Sequence, residues 1–259
     1  MRRGTNGGII MRNNVLFFLV SVALSAGLLC AQEASRGPDG GTTYHVSGVD
    51  LLAIPGKAFS AKSTTDWTRT LEDGTKVRLH LNANLARDSQ GRMYRERRSF
   101  VAEGSTQESR LMEIMLYDPI ALTKTTCTVP IHQCVVTGYR PRTSFVTTPA
   151  GAFANGTRYL NREDLGTNTM EGLDVVGTRE TLTINPGVVG NERPLVSTRE
   201  FWYSPDLQTN LSVTRNDPRE GLQVVRLSSV SRSEPQPQQF EVPSGFTVQD
   251  ARSPNHTEQ

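Results

Sequence analysis

The sequence predicts an all-β protein, an antiparallel meander of roughly eight to eleven strands. Apolar and polar residues alternate along most of the chain, and turn signals recur between the alternating runs. No segment keeps a helical period over three turns. A short helix is allowed only near "NREDLG" or "PQQF".

The first strand reads from "AFSAKSTTDWTRTL". Phe59, Ala61, Trp67 and Leu71 share one face, and Lys62, Asp66 and Thr68 take the other. "EDGT" turns at Asp73-Gly74. In the next strand Val77, Leu79, Leu81, Ala83 and Leu85 point one way, and Arg78, His80, Asn82 and Asn84 the other. "SQGR" turns again into "RMYRERRSF", and "RLMEIMLYDPIAL" is a further strand. A hairpin built on "KTTCTVPIHQCVV" follows. Residues 141–157 have no period and read as loop. Beyond them, "LDVVGTRETLTI", "LVSTREFWYSPDL", "TNLSVTR" and "GLQVVRLSSVSR" are strands separated by Gly/Pro-rich turns. In the Pro-rich end, Phe240, Val242 and Phe246 are positioned to dock on the sheet.

The N-terminus sets the compartment. Arg2, Arg3 and Arg12 precede an apolar run from Val15 to Leu29, the pattern of a secretory signal peptide over residues 1–31. Met11 is an alternative start. Cleavage after Ala31 puts the mature terminus near Gln32. A lipidated Cys30 and an uncleaved anchor are the alternatives, and Leu29 is a bulky neighbour for a lipoprotein site. Residues 32–57 read as a flexible leader holding a short apolar anchor, "VDLLAIP"; residues 58–250 as one β domain; residues 251–259 as a disordered tail.

In an exported chain, Cys127 and Cys134 read first as a structural disulfide. Closing so short a loop stabilises the fold by about 2.5 kcal/mol in the chain-entropy picture. His132 offers a third ligand for a metal, but Pro130 and the lack of a fourth ligand weaken that reading. The spacing is also too long for a redox pair.

Other chemistry is sparse. The net charge of +2 gives no electrostatic case for nucleic acid. The histidines (His45, His80, His132, His256) form no metal-binding spacing, and no metal or cofactor is expected. No G-x-S-x-G elbow is present, and Glu163 and Asp164 read as solvated charge. Arg92, Arg95, Arg97 and Arg98 read as exposed strand charge, with a grip on a phosphate head group as the sharper alternative. Phe201, Trp202 and Tyr203 are consecutive, so a regular strand sends Trp202 to one face and its neighbours to the other.

Taken in order, "KAFSAKSTTDWTRTLEDGT", "ARDSQGRMYRERR", "LGTNTMEGLDVVGTRETLTI", "GNERP", "FWYSPDLQ", "RNDPREG" and "EPQPQQFEVPSGF" resemble an uncharacterised family of secreted bacterial envelope proteins. The pairing of "WYSPDL" with "FEVPSGF" is similar to the periplasmic lipoprotein-carrier superfamily. That resemblance implies a strongly curved antiparallel sheet, an incomplete β-barrel, whose concave side is apolar and plugged. The carriers have an early amphipathic helix and a plug helix, and this sequence shows neither.

Two functional readings follow. One is a non-enzymatic periplasmic or extracellular module whose sheet binds an apolar ligand, a lipid or acylated protein, lined by Trp67, Leu79, Leu81, Met115 and Trp202. The other is an interaction or structural domain that docks another envelope protein. An exported hydrolase with a dispersed site is a third.

In protein made in an oxidising compartment, non-reducing peptide mapping should recover Cys127 and Cys134 as one linked pair. Two free thiols would overturn the staple.

Overall fold

The computed structural model describes residues 48–145 and 147–252. The signal segment, Cys30, the first part of the leader and the end of the tail lie outside the described residues. Fourteen strands form: β1 (Phe59–Thr70), β2 (Lys76–Arg87), β3 (Met93–Arg98), β4 (Val101–Ala102), β5 (Leu111–Asp118), β6 (Thr123–Thr128), β7 (Gln133–Gly138), β8 (Gly151–Ala152), β9 (Arg158–Met170), β10 (Leu173–Ile184), β11 (Leu195–Ser204), β12 (Thr209–Asp217), β13 (Gly221–Ser231) and β14 (Thr247–Asp250). Two single 3-10 turns, Val129–Ile131 and Pro237–Phe240, complete them.

The strands make one curved, open sheet in the order β14-β7-β6-β5-β3-β2-β1-β13-β12-β11-β10-β9-β8, with β4 paired to β2. β14 joins β7 in parallel; every other pair is antiparallel. Three strands of two to four residues account for the excess over the expected number, because such short pieces carry no readable alternation. "NREDLG" is not helical. It lies in β9, an edge strand exposed on both sides for most of its length, which hides its period.

β1 and β2 form as their alternation dictates. Phe59 faces Arg87, Ala61 faces Leu85, Thr65 faces Leu81 and Trp67 faces Leu79. On this face lies the main core, which joins Phe59, Ala61, Leu85, Met93, Val213, Val225 and Leu227 to Val49, Leu51 and Ala53.

Those last three residues belong to "VDLLAIP", the apolar anchor within the leader. Val49, Leu51, Leu52 and Ala53 are buried, and packing starts ten residues before β1. A segment with no period becomes core because its backbone finds distant partners. The Ala53 N–H donates to the Arg142 carbonyl at 3.0 Å, and the Thr209 hydroxyl donates to the Asp50 carbonyl at 3.3 Å. Gly91, at φ +85, lets the β2–β3 turn press against Ala53 and Ile54, where an added Cβ would stand 3.3 Å from the backbone.

Arg87 completes the anchorage. It is fully buried on the core face. Its guanidinium donates to the carbonyls of Lys57 (2.9 Å), Leu52 (3.0 Å) and Leu207, and stacks 5.2 Å from the centre of the Phe59 ring. Burial pulls its pKa down to about 10, with the Tyr203 phenol pushing the other way. The group therefore stays charged at neutral pH.

A second core lies on the opposite face of β3 and β5–β7. Ile114, Leu116 and the Cys127–Cys134 disulfide pack there with Tyr94, Leu111, Val129 and Phe246. The C-terminal segment crosses to it from β13. Glu234 accepts from the Ser89 N–H at 3.1 Å, Phe240 lies 5.1 Å under Arg92, and Phe246 meets His132 at 5.1 Å before β14 pairs with β7. Val242 stays exposed.

Arg87→Ala should cost about 3 kcal/mol or more, because it strands three carbonyls in the core. Limited proteolysis of the variant should then cut first between residues 48 and 58. A variant that melts like wild type and resists that cleavage would show that Arg87 is not the anchor.

Candidate functional site

The candidate site is the core face above the buried leader segment. Trp67 is 3% exposed, directly opposite Leu79. Its indole N–H donates to the Glu220 carbonyl at 2.7 Å, and Phe100 leans on it at 5.6 Å. Along β2 the same-face row opens outward: Leu81 is 8% exposed, Leu79 half-buried and Val77 37% exposed. Trp67, Leu79 and Leu81 therefore come together.

Met115 and Trp202 share the face but not this row. Met115 reaches it through the register Leu85–Arg95–Met115, and accepts a weak bond from the Tyr117 hydroxyl at 3.7 Å. Trp202 lies on β11, three strands from β1 in the sheet.

The β10–β11 register runs unbroken through Phe201, Trp202 and Tyr203, and Phe201 and Trp202 both reach the main core. A crease runs beside them. Register breaks at Leu165 on β9 and Leu211 on β12 fall in one line through the paired residues Gly177 and Trp202. The Trp202 ring occupies the space a side chain at 177 would take. A Cβ there would come within 2.8 Å of two ring atoms and of Leu165 Cβ. Bulges and a glycine in line bend a sheet. No alternation count could have found this; the Gly-Thr beside a Phe-Trp-Tyr run is the faint signal.

Polar side chains brace the same half. Trp202 donates to Glu200 at 2.9 Å, and Glu200 pairs with Arg179 at 3.0 Å. Arg199 lies 5.8 Å over Phe201 and reaches Glu180, which also holds Arg162 at 2.6 Å. Tyr203 meets Phe145 edge-on at 6.3 Å.

On the opposite face, β2 and β3 part after the Leu85–Arg95 pair, and a cleft of about 730 Å³ opens between β2 and the loop over residues 101–109. Glu96 wedges the fork. It accepts from the Asn84 N–H (2.9 Å), Tyr94 (2.8 Å) and Arg98 (2.7 Å). Burial pushes its pKa up, but these donors outweigh it and hold the carboxyl below its usual value. Burial first, then the bond to Glu96, raises the Tyr94 phenol. Lys62, His80 and Arg98 face Asp66, Glu103 and Glu108 in the cleft, so it selects neither sign of charge. His80 bonds Asp66 at 2.8 Å.

The basic cluster is also engaged. Arg92 pairs with Asp88, Arg97 with Glu113 and Arg98 with Glu96. Among the described residues no group of three or more His, Cys, Asp or Glu could hold a metal, and no helix is long and apolar enough to cross a membrane.

No protein-family model and no curated protein matches the chain. Solved structures do. A conserved protein from Thermus thermophilus is 11% identical over 75% of this chain and 91% of its own, with a TM-score of 0.40. Lipoprotein LppX of Mycobacterium tuberculosis is 14% identical over 67% and 85%, at 0.24. A DUF1329 family protein from Desulfovibrio piger is 11% identical over 73% and 91%, at 0.21. No ligand or partner carries over from them; the architecture stands on the strand order itself.

Gly177→Ala should destabilise by about 1–3 kcal/mol through overpacking. The cost should shrink in a Trp202→Leu background, since the ring is half of the clash. Equal costs in both backgrounds, measured by denaturant unfolding, would remove Trp202 from the crease.

Proposed function

We propose that the protein is an exported, non-enzymatic binding module of the cell envelope, and that the core face of its sheet takes an elongated apolar ligand such as an acyl chain. One observation carries the reading. That face already holds an elongated apolar occupant, Val49–Ala53, and beyond it the row Leu81, Leu79, Val77 stays apolar while it opens to solvent beside Trp67 and Phe100. An acyl chain meets such a row without specific polar partners. Export is supported by the signal pattern and the disulfide. Lipid or an acylated protein is the partner this chemistry fits.

A second reading has its own support. The present occupant is peptide, and β8 pairs only with Tyr159 and Leu160, which leaves the outer edge of β9 open from Asn161 to Met170. An interaction domain would use that edge, with no small ligand.

The two part in a fatty-acid titration. Wild type should bind a fluorescent fatty acid. Leu79→Asp, at a half-buried site, should stay folded and lose binding at least tenfold, whereas Leu81→Asp should fail to fold. A wild type that binds no acyl probe rejects the ligand reading and leaves the interaction domain.

A further inference from the structure

We propose that the β5–β6 turn is a docking tip for an anionic lipid surface, a role that goes beyond the concave face and does not rest on what that face holds. Ile120 is 70% exposed and Leu122 53% exposed, on a turn of "DPIAL". Neither packs in either core. Large aliphatic side chains standing adjacent in water on one turn call for an apolar partner.

The backbone sharpens the point. Leu122 sits at φ +54, in the left-handed region. Among the described residues the other non-glycine positions there are His132, Glu171, Gln208 and Ser229, all polar. A leucine in this conformation gains nothing for the fold that asparagine would not supply better. Its side chain is held outward by a well-fixed turn. Asp118 accepts from the Ile120 and Ala121 N–H groups, both at 2.8 Å, and the Tyr139 N–H donates to the Leu122 carbonyl at 2.8 Å. Tyr139 in turn packs edge-on against Tyr117 at 5.3 Å. The tip is rigid, so it is presented rather than frayed.

Charge names the partner. Lys124 follows the turn, Arg140 adjoins Tyr139, and Arg142 lies two residues further. Arg142 is paired with Asp50 at 2.5 Å, and Asp118 caps the turn while keeping its charge, so Lys124 and Arg140 are the cations left without an acidic partner beside the tip among the described residues. An apolar tip flanked by these two cations fits acyl chains below an anionic head-group layer.

The test is co-sedimentation of the exported protein with vesicles of phosphatidylglycerol and phosphatidylcholine, against phosphatidylcholine alone. Wild type should pellet with the anionic vesicles and be released by high salt. Ile120→Ser with Leu122→Asn should reduce binding at least tenfold while melting no lower than wild type, because asparagine suits the left-handed position. Ile120→Trp should be quenched by lipids brominated on the acyl chain, which reads insertion of the tip itself. No preference for anionic vesicles, full binding by the double variant, or an unquenched Ile120→Trp would each overturn the proposal.

Discussion

The fold depends on one buried cation. Arg87 ends β2 on the inward face, where a fully apolar residue would be the ordinary choice. Its three hydrogen bonds tie together the leader at Leu52, the entry to β1 at Lys57 and the β11–β12 turn at Leu207. These segments are far apart in sequence and have no ladder to join them. A planar group with donors fixed in a fork serves three carbonyls from one pre-organised geometry, whereas lysine would bring a strongly hydrated point charge on a flexible stem. The desolvation cost shows in the lowered pKa, and the carbonyl dipoles and the Phe59 ring offset it. What the guanidinium secures is therefore an arrangement, the closure of one end of the sheet, more than raw stability.

From that end the sheet's two faces diverge in use. On the β1–β2 side the main core is inside, capped by Val49–Ala53. On the β5–β7 side a second core sits outside, sealed by the disulfide and by Phe246. An open sheet that buried only its concave face would leave its far strands wet on one side and unsupported at the edge. The C-terminal segment solves both problems. It covers the second core and then adds β14 to β7 in parallel, a pairing that needs a long crossover connection and gets one by running from β13 across the β2–β3 turn.

Much of this was legible in the sequence wherever a residue's fate followed from period two. The long strands, the β1–β2 register and the Trp67–Leu79–Leu81 row all did. The staple was legible too, from compartment and spacing. The rest depended on events that alternation does not encode. "VDLLAIP" has no period, and distant partners make it core: Arg87, thirty-five residues beyond Leu52, with Arg142 and Thr209. β9 is an edge strand wet on both sides and looks like loop. Leu165 and Leu211 each add one unpaired residue, in line with Gly177, and the Trp202 ring fills the space beside that glycine. The carrier resemblance pointed to a plugged concave face. The plug exists as extended chain, held by side chain-to-carbonyl bonds, so a search for an amphipathic helix could not find it.

An extended plug differs physically from a helical one. A helix satisfies its own backbone and can leave a groove intact; an extended segment must borrow partners from the walls. Here the borrowed partners are Arg87 at the end of β2, Thr209 at the start of β12 and Arg142 in the loop after β7. Withdrawing the segment would take one of the three carbonyls that serve the buried Arg87 charge and strip the Arg142 carbonyl and Thr209 hydroxyl of their partners, so the lower half of the face is committed to its own chain. The upper half differs: there the exposure of Leu81, Leu79 and Val77 rises step by step beside Trp67, which is pinned to the Glu220 carbonyl.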